Sequence, residues 1–188
     1  MKYMYTDMES LENVALHCTK CALSETRHHV VFGEGNIHAR LMFIGEGPGY
    51  DEDRTGVPFV GKAGKLLDDV FHKVGISRQD VYIGNIVKCR PPNNRNPEPQ
   101  EMEACLDYLR NQVMLIKPEV IVLLGSVALK CILGKEYFIT KSRGQWIEKR
   151  GIRYMPTFHP AAVLRDESKL ESFTSDLMLA KQYLYDTD

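Results

Sequence analysis

Short apolar runs alternate with stretches of helical periodicity along most of the chain, and this alternation constrains the fold more than any other feature. Leu41-Met-Phe-Ile44, Val81-Tyr-Ile-Gly-Asn-Ile-Val87 and Pro118-Glu-Val-Ile-Val-Leu-Leu-Gly-Ser126 have the length and the bounding turns of buried strands. Val30-Val-Phe32 reads as a further strand. Gly144-Gln-Trp-Ile147 and Arg150-Gly-Ile-Arg-Tyr154 read as a hairpin whose second strand ends at Met155-Pro-Thr-Phe-His-Pro160. Between these runs, Ala63, Leu66, Leu67, Val70 and Phe71 recur at helical spacing, and Gly75 supplies a helix stop. Further helices are expected at about 8–16, 101–116, 126–133 and 171–184. Strands alternating with helices build a parallel sheet sandwiched between helical layers. We therefore expect a three-layer α/β/α fold with a central, mostly parallel four-stranded sheet, in one domain spanning residues 1–188.

In such sheets ligands bind beyond the carboxyl ends of the strands. That rule gathers the segment 45–61, Asn85, the Gly125-Ser126 turn and His159 on one rim. The segment Gly45-Glu-Gly-Pro-Gly-Tyr-Asp-Glu-Asp-Arg-Thr-Gly-Val-Pro-Phe-Val-Gly61 reads as a long loop, and long loops inside compact domains are usually functional. Its glycines let the backbone approach a ligand closely, and its two prolines stiffen it. Gly56-Val-Pro-Phe-Val-Gly-Lys-Ala63 falls short of a phosphate loop, because Ala63 has no hydroxyl for magnesium and no strand leads into it. Gly45-x-Gly-x-Gly49 likewise misses the dinucleotide fingerprint, its third glycine coming one residue early. Phe59 fits either a core plug or an aromatic platform for a flat ligand. Asn85 lies in an apolar strand, where an amide is costly unless satisfied. It fits either a backbone-bonded core amide or one that meets a base edge, and His159 either a structural histidine or a ligand-binding one.

A net charge of −1 argues against a strongly basic nucleic-acid coat but not against a local basic groove. No apolar run approaches the ~20 residues of a membrane span. The N-terminal stretch beginning Met1-Lys-Tyr-Met-Tyr lacks a signal peptide's apolar core, so a reducing cytoplasm is the expected setting. Disulfides are not expected there. Cys18 and Cys21 form a Cys-x-x-Cys pair, while Cys131 sits in an apolar helical pattern and reads as a core residue. Setting Cys131 aside leaves Cys18, Cys21, Cys89 and Cys105, enough for tetrahedral zinc or for an iron–sulfur cluster. Four prolines make Lys88-Cys-Arg-Pro-Pro-Asn-Asn-Arg-Asn-Pro-Glu-Pro-Gln100 an extended, stiff loop. Ser24-Glu-Thr-Arg-His-His29 fits either phosphate contact or a solvated face.

Taken in order, four motifs resemble family 4 uracil-DNA glycosylases across nearly the whole chain. They are Gly45-Glu-Gly-Pro-Gly49 with Glu52-Asp53, Gly56-x-Pro-Phe-Val-Gly61-x-Ala-Gly64, Asn85-Ile-Val-Lys-Cys-Arg-Pro-Pro92 and His159-Pro-Ala-Ala-Val-Leu-Arg165. The resemblance implies a monofunctional enzyme of base-excision repair that flips uracil out of DNA and hydrolyses its N-glycosidic bond. A non-catalytic iron–sulfur nucleic-acid-binding module on the same fold is the alternative. By the same resemblance Phe59 stacks on uracil, Asn85 selects it, Glu52 lies near C5, and His159 bonds O2. Glu46 and Gly47 offer backbone N–H groups, and Glu46 stands near the attacking water. A related family carries an aspartate where this chain has Gly47, which leaves the water-activating group open. Lys88, Arg90, Ser126, Leu164 and Arg165 are expected to contact DNA. Cys18, Cys21, Cys89 and Cys105 would ligate one 4Fe–4S cluster, with structural zinc as runner-up. No insertion rich in Arg and His follows Lys88, so simple hydrolysis is expected and not covalent trapping. The implied partners are uracil-containing DNA, single- or double-stranded, and downstream repair proteins, with the enzyme a monomer away from membranes.

Overall fold

The computed structural model describes residues 5–185. Residues 1–4, where the reading of the N-terminus begins, and residues 186–188 lie outside that range. The chain opens with helices α1 (Met8–Leu16) and α2 (Leu23–Thr26), then strands β1 (Glu34–Gly35) and β2 (Leu41–Gly45). Helices α3 (Tyr50–Thr55) and α4 (Lys62–Val74) lead to β3 (Tyr82–Asn85), and α5 (Pro99–Ile116) leads to β4 (Val120–Leu124). Helices α6 (Ser126–Ile132) and α7 (Ile139–Ser142) precede β5 (Ile147–Lys149) and β6 (Ile152–Thr157). Helices α8 (Pro160–Arg165) and α9 (Leu170–Tyr185) close the chain.

The sheet has six strands in the order β1-β3-β2-β4-β6-β5, not four. The inner four run parallel, as expected, and the two outer strands pair antiparallel. The extra strands are short: β1 contributes only Glu34 and Gly35, paired to Ile83 and Tyr82, and β5 is the first arm of the expected hairpin. Two residues are too few for period-two patterning to show in a sequence. Val30–Phe32 is not a strand. It is a buried extended segment tied to the sheet side by the Val31 N–H donating to the Lys88 carbonyl at 2.7 Å.

Alternation along the strands sends side chains to two separate cores. Leu41, Phe43, Val120 and Val122 meet Leu67, Phe71, Phe173 and Leu177 of α4 and α9. Met42, Ile44, Ile121 and Leu123 meet Leu11, Leu109 and Leu129 of α1, α5 and α6. The sheet is therefore covered on both faces, which is why its strands read as unbroken apolar runs. Truncating one such fully buried residue, Leu67 for example, would cost about 2–5 kcal/mol. Among the described residues no helix is long and apolar enough to cross a membrane.

Topology then fixes where a ligand can sit. The chain leaves β2 toward β3 on one side and leaves β4 toward β6 on the other. The crevice at such a reversal lies between the carboxyl ends of β2 and β4.

Candidate active site and thiol-lined cavity

Gly45 ends β2 at this crevice. A Cβ added there would lie 2.5 Å from Asn85 Oδ1 and 2.6 Å from Phe59 Cζ, so only glycine lets these two side chains close in on the end of β2. Asn85 closes β3 and is 1% exposed. Its Oδ1 is the only buried side-chain N or O atom among the described residues without a hydrogen-bond partner. Leaving a buried acceptor unpaired costs about 1–3 kcal/mol, so this atom is aimed at something. Its own backbone carbonyl is occupied, accepting from Lys88 Nζ at 3.0 Å.

Phe59 is buried and has φ of 53°, a left-handed conformation that a bulky residue takes up only when its surroundings impose it. Two side chains impose it here. Arg78 donates from Nη1 to the Phe59 carbonyl at 3.2 Å and from Nη2 to the Pro58 carbonyl. Glu52 accepts the N–H groups of Val60 and Gly61 at 2.9 and 2.8 Å through one oxygen, and that of Gly49 at 3.0 Å through the other. Glu52 thus cross-braces the whole 45–61 segment. Within that segment Tyr50–Thr55 forms a helix, α3, which ends on Gly56 at φ of 76°. The signals were present: three acids in a first turn and a terminal glycine.

His159 caps α8, its Nδ1 accepting the Ala161 N–H at 3.1 Å. In the neutral ring this puts the proton on Nε2. Desolvation by the surrounding protein lowers its pKa to about 4, with Arg165 pushing the same way and Glu52 opposing. The imidazole is therefore a neutral donor at ordinary pH. It lies beside the aromatic plate, ring centroids 5.7 Å apart. Behind it, Gly125 has φ of 91° and no room for a Cβ, which would meet His159 Cβ at 2.9 Å. Thr157, just before it in the chain, donates to the fully buried Asp176 at 2.7 Å, and Asp176 is ion-paired with Arg143.

Glu46 is partly buried, and desolvation raises its carboxyl pKa above the usual value. A Cβ on Gly47 would lie 2.6 Å from Val87 Cγ2, so no aspartate side chain could start from that position without displacing Val87. Around the mouth, Ser126 and Arg165 are exposed, Leu164 is 46% exposed at the end of α8, and Arg90 is half-buried. Lys88 is a correction. It is 1% exposed, with Nζ donating to the Asn85 carbonyl and, at 2.6 Å, to Gln112 Oε1, so it cannot contact DNA. Gln112 in turn donates to the Phe32 carbonyl and to the Tyr82 hydroxyl, both at 2.9 Å. Lys88 and Gln112 form a polar support beneath Asn85 that the sequence did not reveal.

Cys18, Cys21, Cys89 and Cys105 line one small cavity, together with Arg27, Tyr108 and other residues. Cys131 is not among them. Arg27 Nη1 lies 3.4 Å from Cys89 Sγ and the Lys88 N–H donates to Cys105 Sγ at 3.2 Å. Donors aimed at sulfur are what a thiolate-held centre needs to offset its negative charge. The four thiols ring a cavity and do not converge: among the described residues no three His, Cys, Asp or Glu side chains gather as a single metal ion requires. Arg27 belongs to the stretch Ser24–His29, whose two histidines hold α3. His28 bonds the Asp53 carboxylate at 2.7 Å, and His29 the Asp53 carbonyl at 2.8 Å.

An aromatic plate, an orphaned amide and a neutral imidazole at the switch point of a parallel sheet define an α/β protein built to hold a flat, hydrogen-bonding ring. Comparison with known proteins agrees in kind. Residues 32–181 match the uracil DNA glycosylase superfamily. The chain is 51% identical to a type-4 uracil-DNA glycosylase of Thermotoga maritima over 170 residues, covering 88% of each chain. It is 45% identical to one from Archaeoglobus fulgidus, covering 90% of each, and 47% identical to one from Sulfurisphaera tokodaii, covering 84% and 77%. The chain belongs to the type-4 branch of the uracil-DNA glycosylase superfamily.

Proposed function

We propose that the chain is a single-domain, monomeric, monofunctional uracil-DNA glycosylase that acts on uracil in single- or double-stranded DNA in the cytoplasm. It leaves an abasic site for later repair proteins. The observation that carries this reading is the unpartnered Asn85 Oδ1, which meets Phe59 over Gly45. Uracil supplies the missing donor through N3–H, while the Asn85 NH₂ donates to O4. Cytosine presents the opposite groups at both positions, and a dry pocket penalises two unpaired contacts heavily.

The nucleotide leaves the duplex at a cost of roughly a few kcal/mol. Phe59 recovers part of this by stacking, worth ~1–3 kcal/mol and indifferent to base identity. Glu52 shapes the wall near C5. As the bond from C1′ to N1 breaks, its electron pair stays with uracil. The Nε2–H of His159 then bonds the O2 that gains charge, helped by the backbone N–H groups of Glu46 and Gly47. The neutral ring keeps its one proton on Nε2, and the bond it donates strengthens as negative charge gathers on O2. In this reading Glu46 holds the water that bonds C1′ and receives its proton. Leu164 and Arg165 enter the space the nucleotide vacates, and Arg90 and the Gly125-Ser126 turn contact the strand.

Cys18, Cys21, Cys89 and Cys105 would hold one 4Fe–4S cluster. The thiol-lined cavity and its donors to sulfur support a thiolate-held centre there, and the resemblance to the family favours the cluster over zinc. When bound it supplies no chemistry to bond cleavage and cross-links α5, the proline-rich loop and the segment after α1.

The test is uracil release. Asn85→Ala should lose at least about a hundredfold in rate, ~2.7 kcal/mol, while still binding DNA. If wild-type protein releases no uracil from a uracil-containing oligonucleotide, the reading fails and the binding-module alternative takes its place.

A further inference from the structure

One cluster beside the pocket joins Arg90 to two residues that none of these steps uses, Tyr50 and Arg54. Tyr50 opens α3 directly after Gly49 and is 50% exposed. Two guanidinium groups lie against its ring. Arg90 Cζ is 5.1 Å from the ring centroid, coming from the proline-rich loop, and Arg54 Cζ is 5.7 Å away, coming from the next turn of α3. Arg90 is further fixed by Nε donating to Asn94 Oδ1 at 2.7 Å, and Arg54 Nη1 approaches the Tyr50 hydroxyl at 3.5 Å.

These two arginines differ from most others in the protein. Arg40, Arg78, Arg95, Arg110, Arg143 and Arg153 each face a carboxylate. Among the described residues Arg54 and Arg90 form no ion pair with an acid. The acids beside Arg54 in sequence are engaged elsewhere: Asp53 bonds His28, Glu52 the Val60 and Gly61 N–H groups, and Asp51 is turned toward Gly61, where an added Cβ would meet its Oδ2 at 2.8 Å. Two cations brought together from separate elements, with no acid between them, repel one another unless an anion joins them. An aromatic face holds each at little desolvation cost while leaving N–H edges free. A planar guanidinium edge matches phosphate oxygens, often two at a time.

We propose that Tyr50, Arg54 and Arg90 form a clamp for one backbone phosphate of the DNA strand, next to the flipped nucleotide. Tyr50 acts as the plate that sets the two arginines. Its place follows from the packing: the Arg90-Pro91 turn lies beside the 45–49 segment, a Cβ on Gly47 falling 3.9 Å from Pro91 Cδ. The clamp rests on the glycosylase reading, since it assigns this phosphate to the substrate strand.

The test uses the whole protein and single-stranded oligonucleotides with one uracil, each carrying a single uncharged methylphosphonate at a different linkage. Wild type should lose affinity at one linkage near the uracil. Arg54→Gln and Arg90→Gln should each become insensitive at that linkage, and each should reduce the slope of log affinity against log salt by about 0.7. Tyr50→Ala should do the same although it removes no charge, and Tyr50→Phe should behave as wild type. The clamp is overturned if Tyr50→Ala keeps the wild-type slope and linkage profile, or if no linkage is singled out. Absence of uracil release by wild type would instead sink the glycosylase reading, and the two failures are read separately.

Discussion

At the scale of single residues, the pocket divides its tasks between groups whose environments set their protonation. His159 spends Nδ1 on the Ala161 N–H and is held neutral by burial, its pKa near 4. Glu46 moves the opposite way, desolvation raising its pKa above the ordinary carboxyl value. If Glu46 must be ionised to take a proton from water, the rate should fall on the acid side through the raised pKa of Glu46. A pH profile of kcat/KM reports the free enzyme and checks this directly. In Glu46→Gln that limb should vanish, leaving a lower rate that stays flat down to about pH 5. A wild-type limb at the ordinary histidine value that survives in Glu46→Gln would show that His159 titrates there and would refute its assignment. For stability the sign is also fixed. The unfolded chain binds a proton at His159 below about 6.5 and the folded protein only near 4, so this residue makes stability decline as pH falls across that interval.

At the scale of elements, the 45–61 segment is a short helix and a strained turn held from two sides. Glu52 ties its backbone from within, and Arg78, between α4 and β3, ties the Pro58 and Phe59 carbonyls from outside. Arg78 also reaches Asp68 at 2.9 Å and Glu34 at 3.3 Å, so it joins the edge of the sheet to the aromatic plate. Arg78→Gln should relax Phe59 from its left-handed backbone and lower kcat/KM for uracil release about tenfold or more, ~1.4 kcal/mol. The expected signature is weaker binding of free uracil with little change in affinity for uracil-free DNA, measured by calorimetry and fluorescence anisotropy. Equal losses in both would mean that Arg78 serves only the fold. The helices and inner strands were readable because their apolar spacing is strong, and the rim position of Asn85 and His159 followed from topology. The edge strand Glu34–Gly35, α3 and α8 are too short to leave a periodic signal. Lys88 misled because a lysine in a basic, proline-rich stretch is ordinarily exposed. Its burial depends on Gln112, which is remote in sequence and carries no mark of that role.

At the scale of the whole molecule, the thiol-lined cavity is the main tie between parts of the chain that the sheet does not order. Cys18 and Cys21 follow α1, Cys89 begins the proline-rich loop, and Cys105 lies in α5. Arg27 links this cavity, through its neighbours His28 and His29, to Asp53 in α3. Anaerobically prepared protein should contain iron and acid-labile sulfide, with a visible thiolate-to-iron absorption band that Cys105→Ser abolishes. The same variant should unfold at a lower temperature, by ~2–4 °C for each kcal/mol lost. It should also be cut more readily by protease between residues 90 and 98. Stoichiometric zinc without iron would replace the cluster with the runner-up.

The missing methyl group at Gly45 has a consequence of another kind. Most inactivating changes in an enzyme take something away, but here one added carbon would occupy the seat between Asn85 and Phe59 and leave the outer surface untouched. Gly45→Ala is thus a route to a protein that still grips and opens a strand yet admits no base. Such a decoy would hold DNA without sorting uracil from other bases, because the choice is made by Asn85 only once a base is seated.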